Sequence, residues 1–323
     1  MGLTPLEAQV GPPEQPEGTP GDPQAPRSAR AIVWGRRRHA LAYNWSLYRH
    51  NTQGMIGLVI LSVFIALALL APLIVDQAEI TPADTTGVPL QAPSADYPYW
   101  LGTDNFGRPV LWLLIWGARI SLTVGLVATV GTMVLGSIVG IAAGYFGGRI
   151  DTALNAFTNW FLVIPWLVLA IVLVAILGPS LGIIILVIAL TSWAGTARLV
   201  RAQTLTVKER LYVERGKALG AGNWHLITRH ILPNVFPVIF ANTVLTVSLA
   251  ILSETTLALL GLGDPNSVSW GTIIEEAFNS GALTAGYWWW LIPPGICIVL
   301  VTLSFTMCGY ALDEILNPKL RER

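Results

Sequence analysis

Six apolar runs stand out along the chain, separated by segments rich in charge, proline and glycine. They cover Met55–Val75, Ile120–Ala143, Leu154–Leu177, Leu181–Ala197, Val235–Leu260 and Trp289–Gly309. The first holds about 21 residues; at ~1.5 Å per helical residue it reaches about 30 Å, enough to cross a bilayer. Only Gly178-Pro179-Ser180 separates the third run from the fourth, so five spans is the rival to six. Met1–Arg30 is rich in Pro, Gly, Glu and Gln and has almost no large apolar residues, which predicts disorder. That segment has no short apolar core of the signal-peptide kind. Met55–Val75 has no convincing small-residue cleavage site and is expected to stay as an anchor.

Charge placement decides between five and six. Of the 19 Lys and Arg residues, all but Arg108 and Arg119 fall in Met1–Gly54, Gly144–Ala153, Arg198–Asn234 and Tyr310–Arg323. The other soluble segments carry Asp76, Glu79, Asp84, Asp96, Asp104, Asp264, Glu275 and Glu276. Basic residues concentrate on the cytoplasmic side, so six spans with both termini inside fits, and merging the third and fourth runs does not. Trp100, Trp112, Trp116 and Trp288-Trp289-Trp290 then fall at outer interfaces, where aromatic belts sit.

Composition agrees. Charged residues make up 12% and hydrophobic residues 53% of the 323 residues, with a mean hydropathy of +0.60. A soluble domain carries roughly 25% charge, so the expected fold is an all-α integral membrane protein. Zero formal net charge argues against a nucleic-acid partner. Cys297 and Cys308 lie roughly 16 Å apart along one helix, too far for a disulfide. There is no Gly-x-x-x-x-Gly-Lys-Ser/Thr loop for a nucleotide, no His pair at zinc spacing and no nucleophile–base set, so the chain itself is expected to bind no cofactor or metal and to catalyse nothing. His225 and His230, five apart, point to different sides of a regular helix.

Within the runs, Gly136, Gly140 and Gly144 share one helix face and permit close approach of a second helix. Pro165 and Pro293-Pro294 weaken the hydrogen-bond ladder and can kink their helices around a cavity, the plainer reading being packing geometry. Glu254 is the one acid deep in an apolar stretch. Such a residue points to a polar pathway or proton relay, against the plainer reading of an acid near the outer end of its span, solvated by neighbouring hydroxyls.

The segment Arg198–Asn234, about 37 residues, exceeds the usual helix–helix connection. Its pattern predicts a helix over Val207–Leu219, a break at Gly220-Ala221-Gly222, and a second helix capped by Asn223 and ended by Pro233. Trp224, Ile227 and Ile231 form an apolar stripe on that helix, suited either to a lipid surface or to a groove on a soluble partner.

Glu214-Arg215-Gly216-Lys217-Ala218-Leu219-Gly220, followed by Ile227-Thr228-Arg229-His230-Ile231-Leu232-Pro233-Asn234, resembles the cytoplasmic loop of binding-protein-dependent ABC importer permeases. That loop reads Glu-Ala-Ala, three residues, Gly, then an Ile…His-x-Leu-Pro ending. Further stretches are similar to the C-type permeases of dipeptide and oligopeptide importers. They are Leu101–Arg108, Gly117–Leu122, Ala143–Gly148, Glu254–Gly263 and Leu312–Pro318, in the family's order. Departures are Arg215-Gly216 for two alanines, Pro109 for an Asp, and Ala156 and Asn159 where an Arg and an Asp are common.

The resemblance implies a type I ABC importer permease architecture in a bacterial plasma membrane. It implies a coupling element built on Glu214, Gly220, Trp224, Ile227, His230, Ile231 and Pro233 that docks in a cleft of a separate ATPase. Glu254 and Pro165 are candidates for the translocation path or its packing. The implied partners are a second homologous permease, two ATP-binding subunits that hold ATP and magnesium, an extracytoplasmic substrate-binding protein and the lipid bilayer. The expected cargo is di- or oligopeptide; haem, nickel, glutathione or sugar on the same architecture is the alternative, and an ion-coupled secondary transporter a more distant one. The expected organisation is a cytoplasmic segment at 1–50, a first span with its outer segment at 51–118, a permease core at 119–309 with the loop 198–234, and a cytoplasmic tail at 310–323.

Overall fold

The structure, a computed structural model, describes residues 42–316; the disorder expected of Met1–Arg30 and the Asn317-Pro318 end of the last motif lie outside the described residues. From Ser46 onward the described chain forms one compact helical unit. Helix α1 is Thr52–Ile74, α2 Val110–Phe146, α3 Gly148–Val163, α4 Trp166–Leu177, α5 Leu181–Lys208 and α6 Leu211–Ala218. Helix α7 runs Asn223–Leu262, α8 Trp270–Asn279 and α9 Trp288–Leu316.

Among the described residues, α1, α2, α5, α7 and α9 are each long and apolar enough to cross a membrane, and α3 with α4 adds a sixth crossing if that bent pair counts as one span. The third run Leu154–Leu177, in which Pro165 was expected to weaken the ladder, is two helices rather than one. Its two halves meet at 87°. Pro165 supplies no N–H and drives the preceding Ile164 into extended geometry (φ −72°, ψ 126°), so the ladder stops there. The third–fourth boundary lies where it was expected: Gly178 has φ +89°, and Ser180 caps α5 by accepting from the Ile183 N–H.

Helix α2 begins ten residues before the apolar run that announced it, after Pro109. Arg119 does not interrupt it, because its guanidinium lies 5.3 Å from the Trp116 ring centroid. The glycine face works as its spacing implies. A Cβ added at Gly136, Gly140 or Gly144 would press on Thr196, Ala197 or Thr204 of α5. A second seam joins α1, α9, α2 and α8 around the fully buried Trp270 and Trp290.

Candidate coupling surface and outer latch

The Arg198–Asn234 segment is mostly helix continued from its neighbours rather than a separate loop. Helix α5 runs to Lys208, and Arg210 turns the chain (φ −75°, ψ 138°) into α6. Gly220 then takes φ +83°, a region open to glycine at little cost. Asn223 is the first helical residue rather than the cap, which is Gly222. Its side chain instead accepts a hydrogen bond from the Tyr145 hydroxyl at 2.8 Å, tying the turn to α2.

Pro233 does not end the second helix. A π-helical turn over Ile227–Ile231 precedes it, with the Leu232 N–H reaching back five residues to the Ile227 carbonyl. Pro233 then occupies the first turn of the next α-helical stretch, where its missing N–H is least costly. The wider turn also brings residues five apart together. His225 and His230 have ring centroids 5.8 Å apart, and Tyr212 of α6 lies 5.9 Å from His230. The expectation that these histidines diverge is corrected, since it assumed a regular α-helix.

The apolar stripe divides for the same reason. Ile231 is 0% exposed and packs with Leu226, Met133, Tyr145 and Val235, with Ile227 half-buried against them. Trp224, on the other side of the turn, is 78% exposed, as are most of Leu219 and Leu211. The stripe expected at Trp224, Ile227 and Ile231 is thus not one free face: the inner pair anchors the turn and Trp224 stands out from it. Glu214 is exposed on α6. Gly216 stands where an alanine is usual, and a Cβ there would lie 3.0 Å from Leu226 Cδ2, so its smallness admits α7 closely.

At the opposite end of the bundle, the segment between α1 and α2 folds onto α8. Asp104 is fully buried and accepts from the Phe106 N–H at 2.9 Å, the Arg108 N–H at 2.8 Å and Arg108 Nε at 2.5 Å. Arg108 Nη2 also donates to Glu276 of α8. Burial raises the Glu276 carboxyl above its ordinary value, against the opposing pull of Arg108. Trp289 Nε1 donates to the Thr103 carbonyl at 3.2 Å. The Leu101–Arg108 motif is therefore a latch between the α1–α2 segment, α8 and α9.

Trp270 explains a second motif. Its indole donates to the Leu114 carbonyl at 2.9 Å and its backbone N–H to Ser121 at 3.1 Å. A Cβ on Gly117 would lie 2.9 Å from its ring, so Gly117 and Ser121 shape the slot it fills. Sequence reading passed over Trp270, because a tryptophan before Gly271 carries no periodic signal. Glu254 lies toward the Leu262 end of α7, buried, accepting from the Ser269 hydroxyl at 2.6 Å. Its second oxygen has no partner. Pro165 is exposed and sits at the α3–α4 break. Of the two departures in α3, Asn159 accepts from Arg198 of α5 at 3.0 Å. About two turns earlier, Asp151 receives Arg201 at 2.6 and 2.7 Å. Among the described residues no group of three His, Cys, Asp or Glu side chains is placed to hold a metal ion.

Residues 136–322 match the family described as binding-protein-dependent transport system inner membrane component. Residues 41–93 match the N-terminal TM domain of oligopeptide transport permease C. The chain is 36% identical over 290 residues to the dipeptide transport system permease protein DppC of Bacillus subtilis (strain 168), covering 88% of each. It is 35% identical over 281 residues to the oligopeptide transport system permease protein OppC of the same organism, covering 85% of this chain and 88% of that one. Among solved structures, the inward-facing MetNI methionine ABC transporter aligns with 65% of this chain and 97% of its own at a TM-score of 0.53 and 19% identity, a likeness of fold. The multi-pass helical bundle, its glycine seam and the matched length agree: this chain belongs to the family of binding-protein-dependent transport system inner membrane components.

Proposed function

We propose that this chain is the permease subunit of an ATP-driven importer of di- and oligopeptides, with no catalysis of its own. It spans the bacterial plasma membrane with both termini in the cytoplasm and forms half of the translocation path beside a second homologous permease. Two ATP-binding subunits hold ATP and magnesium, and a substrate-binding protein delivers cargo from outside. The peptide cargo is supported by the DppC and OppC relatives. Residues 198–234 are the cytoplasmic side, residues 51–118 contribute the outer face, and 119–309 the permease core.

The observation that carries the coupling role is the divided turn at Gly220–Ile231. Leu226 and Ile231 anchor it to α2, α5 and α7, while Trp224 and Leu219 project from it unburied. A large aromatic on a rigid, anchored turn is what a docking cleft grips. Glu214 and His230 flank it, and Pro233 starts the rigid helix through which a push on Trp224 reaches the membrane. Closure of the ATPases would then move α7 against α2 and α5 as packed bodies.

The test is co-purification and uptake. Trp224→Asp should leave the chain in the membrane, lose the ATP-binding subunits on purification and abolish dipeptide uptake. Retention of both subunits and uptake would sink the coupling assignment. Uptake of haem, nickel, glutathione or a sugar in place of dipeptide would move the cargo and keep the architecture. Uptake that survives ATP depletion and collapses with an ionophore would favour a secondary transporter.

A further inference from the structure

A hollow of about 180 Å³ lies among α2, α5 and α7, near the middle of each helix, and is lined by the polar Thr132, Ser192, Thr196, Asn242 and Thr246 set among the apolar Ile188, Leu249 and Ala250. Five uncharged polar side chains gathered from three apolar helices are costly against lipid and are expected facing a cavity or a neighbouring helix. Their bonding is incomplete. Thr132 is 1% exposed, yet its hydroxyl has no partner. Most other threonines of these helices return their proton to their own backbone, as Thr246 does to the Asn242 carbonyl at 2.8 Å, which leaves its oxygen lone pairs free. The Asn242 amide reaches Thr196 only at 3.4 Å and the Met133 sulfur at 3.8 Å. One side of the hollow is bare backbone: Gly195 is exposed, and a Cβ added there would meet nothing within 4 Å.

We propose that these five residues form a neutral hydrogen-bonding station midway along the translocation path, which receives the amide groups of the cargo; this rests on the peptide-importer reading above. Hydroxyls donate and accept, and a carboxamide does both, so the set matches a peptide unit's N–H and C=O whatever its side chain. It offers no counter-charge to an ammonium or carboxylate, which would be left unpaired at this depth. The termini must be held elsewhere.

Two measurements on the assembled transporter test it. With Cys297 and Cys308 replaced by alanine, Gly195→Cys in membrane vesicles should react with a charged, water-soluble methanethiosulfonate reagent. A cysteine facing lipid stays unmodified, and that result would overturn the proposal. In uptake assays, Gly195→Phe should cut dipeptide transport at least tenfold while the complex still assembles; transport at the parent rate would overturn the proposal. Asn242→Leu should lower uptake severalfold for dipeptides of every side-chain class, and a loss confined to one class would overturn the amide assignment. If the parent complex carries no peptide, the cargo reading fails by itself, while cysteine labelling still reports on the path.

Discussion

Gly140 of α2 lies against the backbone of Ala197 in α5: an added Cβ would stand 2.6 Å from the Ala197 carbonyl oxygen and 2.8 Å from Val200 Cβ. Helices meet this closely where no hydrophobic effect drives them together and dispersion at short range must suffice. Gly140→Leu should therefore force α2 and α5 apart. Overpacking of this kind costs ~3 kcal/mol or more, which predicts a fall in melting temperature of roughly 5–10 °C in detergent. Gly182→Leu, also on α5 but with nothing within 4 Å of its Cβ, is the control and should leave the transition in place.

Arg108 should matter more than its exposed setting in the sequence suggests. It is 3% exposed and neutralises an Asp104 that is fully buried. Arg108→Met leaves that carboxylate without its cation, a change costing about 3–5 kcal/mol. The outer segment should then become sensitive to protease added from outside, and Asp104→Asn in the same chain should restore part of the loss. Glu276→Gln should cost under about 1 kcal/mol, since its side chain is 35% exposed. Equal protection of parent and Arg108→Met would show that the latch contributes nothing.

Glu79 sets an acid dependence for the same segment. Burial pushes its carboxyl up, but the Thr86 hydroxyl at 2.6 Å, the Thr86 N–H at 3.2 Å and the Thr85 hydroxyl at 3.2 Å outweigh burial and hold it below its ordinary value. A carboxyl lowered on folding adds stability that is present above its unfolded value and lost as the pH falls through the folded one. Glu79→Gln should thus destabilise the protein at neutral pH and flatten the loss on acidification. Glu276, raised on folding, acts with the opposite sign, so Glu276→Gln should steepen that loss. Thermal melts between roughly pH 3 and 7 would show both.

At Gly220 the cost of a side chain is torsional alone, because φ is +83° and an added Cβ meets nothing within 4 Å. Gly220→Val should cost ~1–3 kcal/mol at the turn and misplace Trp224. Gly220→Asn, which tolerates positive φ better, should lose less. Both variants should insert into the membrane normally. We expect the valine variant to lose peptide uptake and substrate-stimulated ATP hydrolysis together. Normal uptake at normal expression would remove Gly220 from the coupling element.

Length and apolarity determined five of the spans from sequence alone, because crossing a bilayer needs little more than about 20 apolar residues whose backbone bonds close within the helix. The four-residue spacing of Gly136, Gly140 and Gly144 likewise announced a contact face, since helical periodicity is a property of one chain segment. The break at Gly178–Ser180 was legible through a glycine and an N-cap serine. What the sequence left open depends on neighbours distant in the chain. Pro165 marked a weak point, but not the near right-angle bend there, nor that α3 is tied to α5 through Asp151–Arg201 and Asn159–Arg198. Pro233 read as a stop, and became a continuation once a π turn ahead of it changed which carbonyls lacked donors. That same turn set His225 beside His230 and buried Ile231 while leaving Trp224 outside. Arg108 meets Glu276 across 168 positions, and Trp270 enters a slot cut by Gly117 and Ser121. Local sequence specifies a helix's length and its faces. Which face is buried, and which polar atom finds its partner, is decided only when another helix arrives to exclude the lipid or supply the bond.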